Sequence, residues 1–268
     1  MNRIELIELI NKKQSFLCVG LDTDTNKLPD HLPKNAEGVL EFNKQIIDST
    51  KEFAVSFKLN IAFYEALGIE GWKALEKTIN YIPKDQALVI ADAKRGDIGN
   101  TADQYAKAFF ENLKADAITV NPYMGRDSVE PFLKYVNKWT IALGLTSNIG
   151  AIDIELMDLK NGRKVYEDAI DSIAKLGTID NLMFVVGATK VEYFEKIRTI
   201  IPDHFLLIPG VGAQGGKLQD LQSAMNEDCG LLVNSSRQII YASKGVDFAE
   251  QAAVQASVLQ RQMAEMLK

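Results

Sequence analysis

Eight short apolar runs alternate with longer amphipathic segments, and no other feature constrains the fold of this chain as tightly. The runs are FLCVGLD from Phe16, AVSFKLN from Ala54, ALVIADAK from Ala87 and AITVNP from Ala117. TIALGLTS from Thr140, LMFVVGAT from Leu182, FLLIPGVG from Phe205 and LLVNSS from Leu231 follow. Near-continuous apolar stretches this short suit strands of a parallel sheet covered on both faces. Between them lie helical stretches such as TADQYAKAFFENL from Thr101, where Tyr105, Phe109 and Leu113 recur every fourth residue. About eight strand-then-helix units in 268 residues match an α/β chain folded as a (β/α)8 TIM barrel, a single catalytic domain over residues 1–268. A doubly wound open sheet would normally carry a Gly-rich fingerprint after its first strand, and LDTDTNKLPD is not one.

The composition narrows the class of partner. A hydrophobic fraction of 47% is ample for a large core. The formal charge of −6 argues against nucleic acid, whose phosphates demand dense Lys and Arg. A small anion remains open to it, because a local cationic pocket can sit in an acidic protein. Cys18 and Cys229 are too few and too distant for a disulfide framework or a zinc site. The N-terminal MNRIELIELINKKQSF reads as an amphipathic helix, without the apolar centre and small-residue cleavage site of a signal peptide. No apolar run approaches the length of a bilayer span, so no membrane partner is expected and the protein reads as cytoplasmic.

A barrel places its chemistry at the C-terminal ends of its strands. Those ends carry Asp22, Lys58, Asp92 with Lys94, Asn121, Ser147, Thr189, Gln214 and Arg237. In VIADAKRGDIGNT, strand alternation should point Asp92 and Lys94 the same way, with Asp97 following and Lys58 one strand over. Two lysines and two carboxylates together can be a structural ion-pair network at the barrel rim. They can also be a reaction centre, because acids beside a lysine hold it as ammonium and make it a proton donor rather than a Schiff-base nucleophile. An ammonium so placed could stabilise a carbanion and then protonate it, while a carboxylate beside a substrate carboxylate would favour loss of CO₂.

The last two strand ends suggest a phosphate site. IPGVGAQGG brings Gly210, Gly212, Gly215 and Gly216 with Gln214, and VNSSRQI brings Arg237. Glycines let backbone approach a ligand closely, though they also serve simply as turn residues; Arg237 adds a guanidinium suited to phosphate.

DAKRGDIGNT, Asp92 to Thr101, resembles the signature of the orotidine 5′-phosphate decarboxylase family, in its bacterial subgroup with slightly longer chains (type 2). FKLNIAFYEALG, LTSN, IPGVGAQGG and VNSSRQIIYAS fall in the matching order, so the resemblance runs from about Phe16 to Ser243. It implies a pyrimidine nucleotide substrate and no metal or organic cofactor. It implies that Asp22 and Lys58 bind ribose hydroxyls, that Lys58 also tethers Asp92, that Asp92 lies beside the substrate carboxylate, and that Lys94 protonates C6. It further implies a homodimer in which Asp97 and Thr101 reach the neighbouring subunit's site, with Ser147 at the pyrimidine edge. Gln214 and Arg237 would hold the phosphate, the loop bearing Gln214 acting as a lid. Gln238 stands where the family usually has glycine, and Asn60 follows Leu59 where a proline is expected.

Three other readings compete. A related decarboxylase of 3-keto-L-gulonate 6-phosphate shares the Asp-x-Lys-x-x-Asp core but uses Mg²⁺, held partly by an acid where this chain has Lys58, which cannot ligate it. A barrel that binds nucleotide without turnover is a second. A Schiff-base aldolase is a third, and it would need a lysine in apolar surroundings. His31 and His204 read as surface residues, Cys18 and Cys229 as small buried hydrophobes, and Trp72 and Trp139 as packing residues. The long connection from Asn148 to about Lys160 carries DIELMD, read as a solvated helix rather than a lid.

Overall fold

The computed structural model describes residues 1–211 and 216–268. Eight parallel strands close on themselves in sequence order, with β1 completing the ring against β8. They are β1 (Leu17–Gly20), β2 (Ala54–Asn60), β3 (Leu88–Arg95), β4 (Ala117–Val120), β5 (Trp139–Leu145), β6 (Leu182–Val186), β7 (Leu206–Pro209) and β8 (Leu231–Ser235). Each apolar run of the sequence supplies one strand, and β1, β4, β6 and β8 are buried along their whole length. That burial follows from the architecture, since the strands face a packed interior on one side and helices on the other.

The surrounding helices are α1 (Arg3–Lys13), α2 (Ala36–Thr50), α3 (Ile61–Glu65), α4 (Gly68–Tyr81) and α5 (Gly99–Lys107). They continue as α6 (Glu130–Leu133), α7 (Val165–Ala174), α8 (Phe194–Ile200), α9 (Arg237–Ile240) and α10 (Phe248–Met266). Local chemistry starts several of them. Asn2 and Glu5 form a reciprocal capping box on α1, and the Asn35 side chain accepts from the backbone N–H of Glu37 and Gly38 at the start of α2. The stretch expected to be helical from Thr101 begins two residues earlier and ends in a π-helical turn, Ala108–Asn112. Phe109 is buried there as its spacing predicts. Helix α2 packs against both α4 and α10, where Phe42 and Phe248 stack with ring centroids 4.8 Å apart. No helix among the described residues is long and apolar enough to cross a membrane.

Helix α1 and three cations fasten the end of the barrel opposite the strand C-termini. Lys13 Nζ donates to the carbonyls of Lys51, Ala54 and Gln86 at 2.6–2.8 Å. Arg198 donates to the carbonyls of Ala224, His204 and Gly230, and Arg3 to those of Ile179 and Asp203 as well as to Asp228.

His204 corrects a sequence expectation. It is only partly exposed: both ring nitrogens are buried without a hydrogen-bond partner among the described residues, and the ring meets Phe184 edge-on at 5.6 Å. Burial, with Arg3 and Arg198 nearby, pushes the imidazole down to about 4, so it is neutral around pH 7. His31 is exposed as expected. Trp139 is fully buried and its Nε1 donates to the Met1 carbonyl, whereas Trp72 leaves 38% of its surface exposed on α4. Both cysteines are free and buried, and burial raises each thiol to about 12.

Candidate active site

A cavity of about 300 Å³ opens at the C-terminal ends of the strands. That volume lies at the low end of the range for small-molecule sites. Leu143, Val185, Leu207, Pro209 and Val211 form an apolar wall. The charged lining comprises Asp22, Lys58, Asp92, Lys94 and Arg237, with Ser147, Asn148, Asn234 and Ser236 among the polar groups. Three cations therefore face two acids, a local excess of positive charge in a chain of formal charge −6. Such a pocket suits an anionic small molecule.

The charged residues form one connected chain. Lys58 Nζ, at the end of β2, donates to Asp92 Oδ2 at 2.9 Å and reaches Asp22 Oδ1 at 3.5 Å. Lys94 Nζ donates to Asp92 Oδ1 at 2.6 Å. Burial works against both charges in the Lys58–Asp92 pair. The two acids nonetheless hold the Lys58 ammonium above the usual lysine range, and the two lysines hold Asp92 well below the usual carboxylate range. Both residues are almost wholly buried, whereas the Lys94 side chain is half exposed toward the cavity. Lys94 is thus tied at its nitrogen yet accessible to a ligand.

Asp92 and Lys94 meet, but not through simple strand alternation. Ala91 pairs with Ile118 and Arg95 with Val120, so β3 advances four residues while β4 advances two. Lys94 sits in this bulge with φ +46°, a left-handed conformation that costs a bulky residue on the order of 1–3 kcal/mol. Bulges of this kind re-aim side chains beside functional sites. Thr119 stabilises the distortion: its hydroxyl accepts from the Lys94 backbone N–H at 2.9 Å and donates to Asp92 Oδ1 at 2.9 Å.

A second network holds Asp22. Ser236 Oγ donates to Asp22 Oδ2 at 2.8 Å and accepts from Asn234 Nδ2 at 3.2 Å. Gly20 makes this approach possible, because a Cβ there would stand 1.8 Å from Ser236 Oγ. At the other side, Gly210 lines the cavity with φ +103°, a conformation open to glycine and strained for other residues. Arg237 lines the cavity from the first position of α9. Gln238 follows it inside the helix without a positive φ, so the missing glycine leaves the backbone there undistorted.

Sequence expectation and structure part at several residues. Asp97 and Thr101 lie outside the cavity of their own chain; Asp97 accepts from the N–H of Ile98, and Thr101 is exposed on α5. Asn121 caps a turn instead of lining the cavity, and Thr189 is exposed away from it. Gln214, with Gly212 and Gly215, lies outside the described residues. DIELMD is not a solvated helix: Glu155 accepts from both the N–H and the hydroxyl of Thr146, tying the long connection to the end of β5. Thr119, Ser236 and Glu155 escaped sequence reasoning. Period-two alternation in AITV does turn Thr119 to the side of the strand shared with Ala117, the one signal available for it. Among the described residues no group of three or more His, Cys, Asp or Glu is placed to hold a metal ion.

The model of the orotidine 5′-phosphate decarboxylase / HUMPS family matches residues 15–252. A curated relative from Flavobacterium johnsoniae, an orotidine 5′-phosphate decarboxylase, is 54% identical over 100% of this chain and 98% of its own. A second, of the same description, from Christiangramia forsetii, is 56% identical over 100% and 99%. Among solved structures, an OMP decarboxylase from Leishmania donovani is similar with a TM-score of 0.77 at 34% identity, covering 96% of this chain and 98% of that one. An orotidine 5′-monophosphate decarboxylase from Methanocaldococcus jannaschii, complexed with the inhibitor BMP, gives 0.65 at 25% identity over 91% and 97%.

Proposed function

The chain belongs to the orotidine 5′-phosphate decarboxylase / HUMPS family, and from that premise we propose how the residues around the cavity share the work. The reaction is decarboxylation of orotidine 5′-monophosphate to uridine 5′-monophosphate and CO₂, in pyrimidine biosynthesis. Asp92 lies against the substrate carboxylate. When the bond from C6 to that carboxylate breaks, CO₂ leaves and the electron pair stays on C6. The Lys94 ammonium stabilises this carbanion and transfers its proton to it, and the resulting amine is reprotonated from solvent. Asp22 and Lys58 bind the ribose hydroxyls, Ser147 the pyrimidine edge, and Arg237 the phosphate with Gln214. The observation that carries this reading is the continuous Asp22–Lys58–Asp92–Lys94 chain along a cavity that Arg237 also lines.

The phosphate assignment is tested by Arg237→Ala. A charged hydrogen-bond donor to phosphate is worth ~1.5–3 kcal/mol, so KM should rise roughly 10–100-fold, with a smaller loss of kcat. An unchanged KM for orotidine 5′-monophosphate removes Arg237 from the phosphate site.

We also propose that the chain is a single catalytic domain over residues 1–268, of the longer bacterial (type 2) subgroup, acting as a cytoplasmic homodimer. In that dimer Asp97 and Thr101 complete the partner's site. Their position outside their own chain's cavity supports this, as do the exposed apolar Ile98, Tyr123 and Met124 on the segments following β3 and β4. Mixing inactive Asp97→Ala chains with inactive Lys94→Ala chains should then restore activity, since each hybrid dimer regains one complete site. Hybrids demonstrated by mass, yet still inactive, would show that each chain builds its own site.

A further inference from the structure

The geometry points to Thr119 as a positioning residue for the decarboxylation, its one hydroxyl coupling the Lys94 backbone to the Asp92 carboxylate. The inference rests on the roles proposed above for Asp92 and Lys94. Thr119 is 1% exposed and does not line the cavity, so it acts only through those two residues.

The need for it arises in the backbone. Across the bulge β3 runs two residues ahead of β4, and the regular strand pairing resumes only at Arg95. The Lys94 N–H is therefore without a ladder acceptor, and Thr119 Oγ1 takes that place at 2.9 Å. A hydroxyl has a single proton to give, and here it goes to Asp92 Oδ1 at 2.9 Å. Asp92 Oδ1 thus accepts from both Thr119 and Lys94 Nζ, while Oδ2 accepts from Lys58. Three donors fix the rotation of the carboxylate. One of them simultaneously holds the positive-φ backbone from which the Lys94 side chain departs. Loss of the hydroxyl frees the carboxylate to turn and the bulge to relax, and both movements shift the ammonium relative to C6. Misplacement of about 1 Å in a reacting group can cost on the order of 10²-fold in rate.

Thr119→Val keeps the β-branched shape that suits a strand and removes both hydrogen bonds; Thr119→Ser keeps the hydroxyl. Both are compared with wild type and Lys94→Ala in steady-state turnover, uridine 5′-monophosphate binding and thermal unfolding. Thr119→Val should lose roughly 10²-fold in kcat with KM and product affinity within about threefold, and Thr119→Ser should recover most of the loss. A folded Thr119→Val with kcat within about twofold of wild type overturns the inference, as does a Thr119→Ser as slow as Thr119→Val. Should Thr119→Val fail to fold, Thr119→Ala against Thr119→Ser decides by the same criterion. Substantial turnover by Lys94→Ala would instead overturn the reading of the site itself, whatever the Thr119 variants do.

Discussion

Replacing Lys94 with alanine should lower kcat by at least about 10⁴-fold, because, on the roles proposed above, one substitution removes both the proton donor and the cation facing the developing carbanion. The barrier demands help of this size. Enzymes reach accelerations of about 10¹⁷-fold, roughly 23 kcal/mol, and departure of CO₂ without an electron sink belongs among the harder reactions. A neutral hydrogen bond at about 1 kcal/mol is far too small. Preorganised charge in a cavity with an apolar wall is the adequate source, and Lys94 is the cation tied to Asp92 that remains open to a ligand. The phosphate end should survive the change, so uridine 5′-monophosphate should still bind. Loss of absorbance from orotidine 5′-monophosphate, followed under saturating substrate, gives kcat directly. A Lys94→Ala protein within tenfold of wild type would remove Lys94 from the chemistry.

Asp92→Ala should damage both stability and rate. It leaves the Lys58 ammonium buried with Asp22, at 3.5 Å, as its remaining acid. Truncating one partner of a buried pair typically costs about 3–5 kcal/mol, and the surviving Asp22 contact places this case near the lower end. About 3 kcal/mol corresponds to a Tm lower by roughly 6–12 °C in a chain of this size. The dependence on pH has a definite sign. Asp92 titrates lower in the folded than in the unfolded chain, so its contribution is present above the unfolded carboxylate value of about 3.9 and is lost as pH falls through the folded value. Lys58 titrates higher when folded, so its contribution is present below about 10.4 and is lost as pH rises through the folded value. The Tm difference between wild type and Asp92→Ala should accordingly be greatest between about pH 5 and 9 and shrink on either side. Calorimetry across that range checks it, and a Tm difference that grew toward acid pH would contradict the ion-pair account.

The architecture was legible because burial on two faces leaves a local trace. All eight apolar runs became strands, since a strand between a packed interior and a layer of helices is built mainly from apolar residues. The cluster of Asp22, Lys58, Asp92 and Lys94 was legible for the converse reason: charges at the ends of such strands have no packing role. Residues defined by long-range partners were not. Nothing local to AITV indicates that Thr119 will meet a bulge two strand positions out of step, and nothing around His204 indicates that Phe184 will cover its ring. Glu155 looked like one more acid in a polar segment, but its meaning depends on Thr146, nine residues upstream. Asp97 and Thr101 are the extreme case, because they lie outside their own chain's cavity and the role proposed for them depends on a second chain.

The fastening of the opposite end by Arg3, Lys13 and Arg198 has a consequence for how this barrel tolerates change. Apart from the Arg3–Asp228 ion pair, these contacts go to main-chain oxygens, which every sequence possesses. The foundation is therefore indifferent to what happens at the rim. Loops there can lengthen or shorten without loosening the closure beneath them, and selection can rework affinity at one pole while the other keeps the cylinder shut.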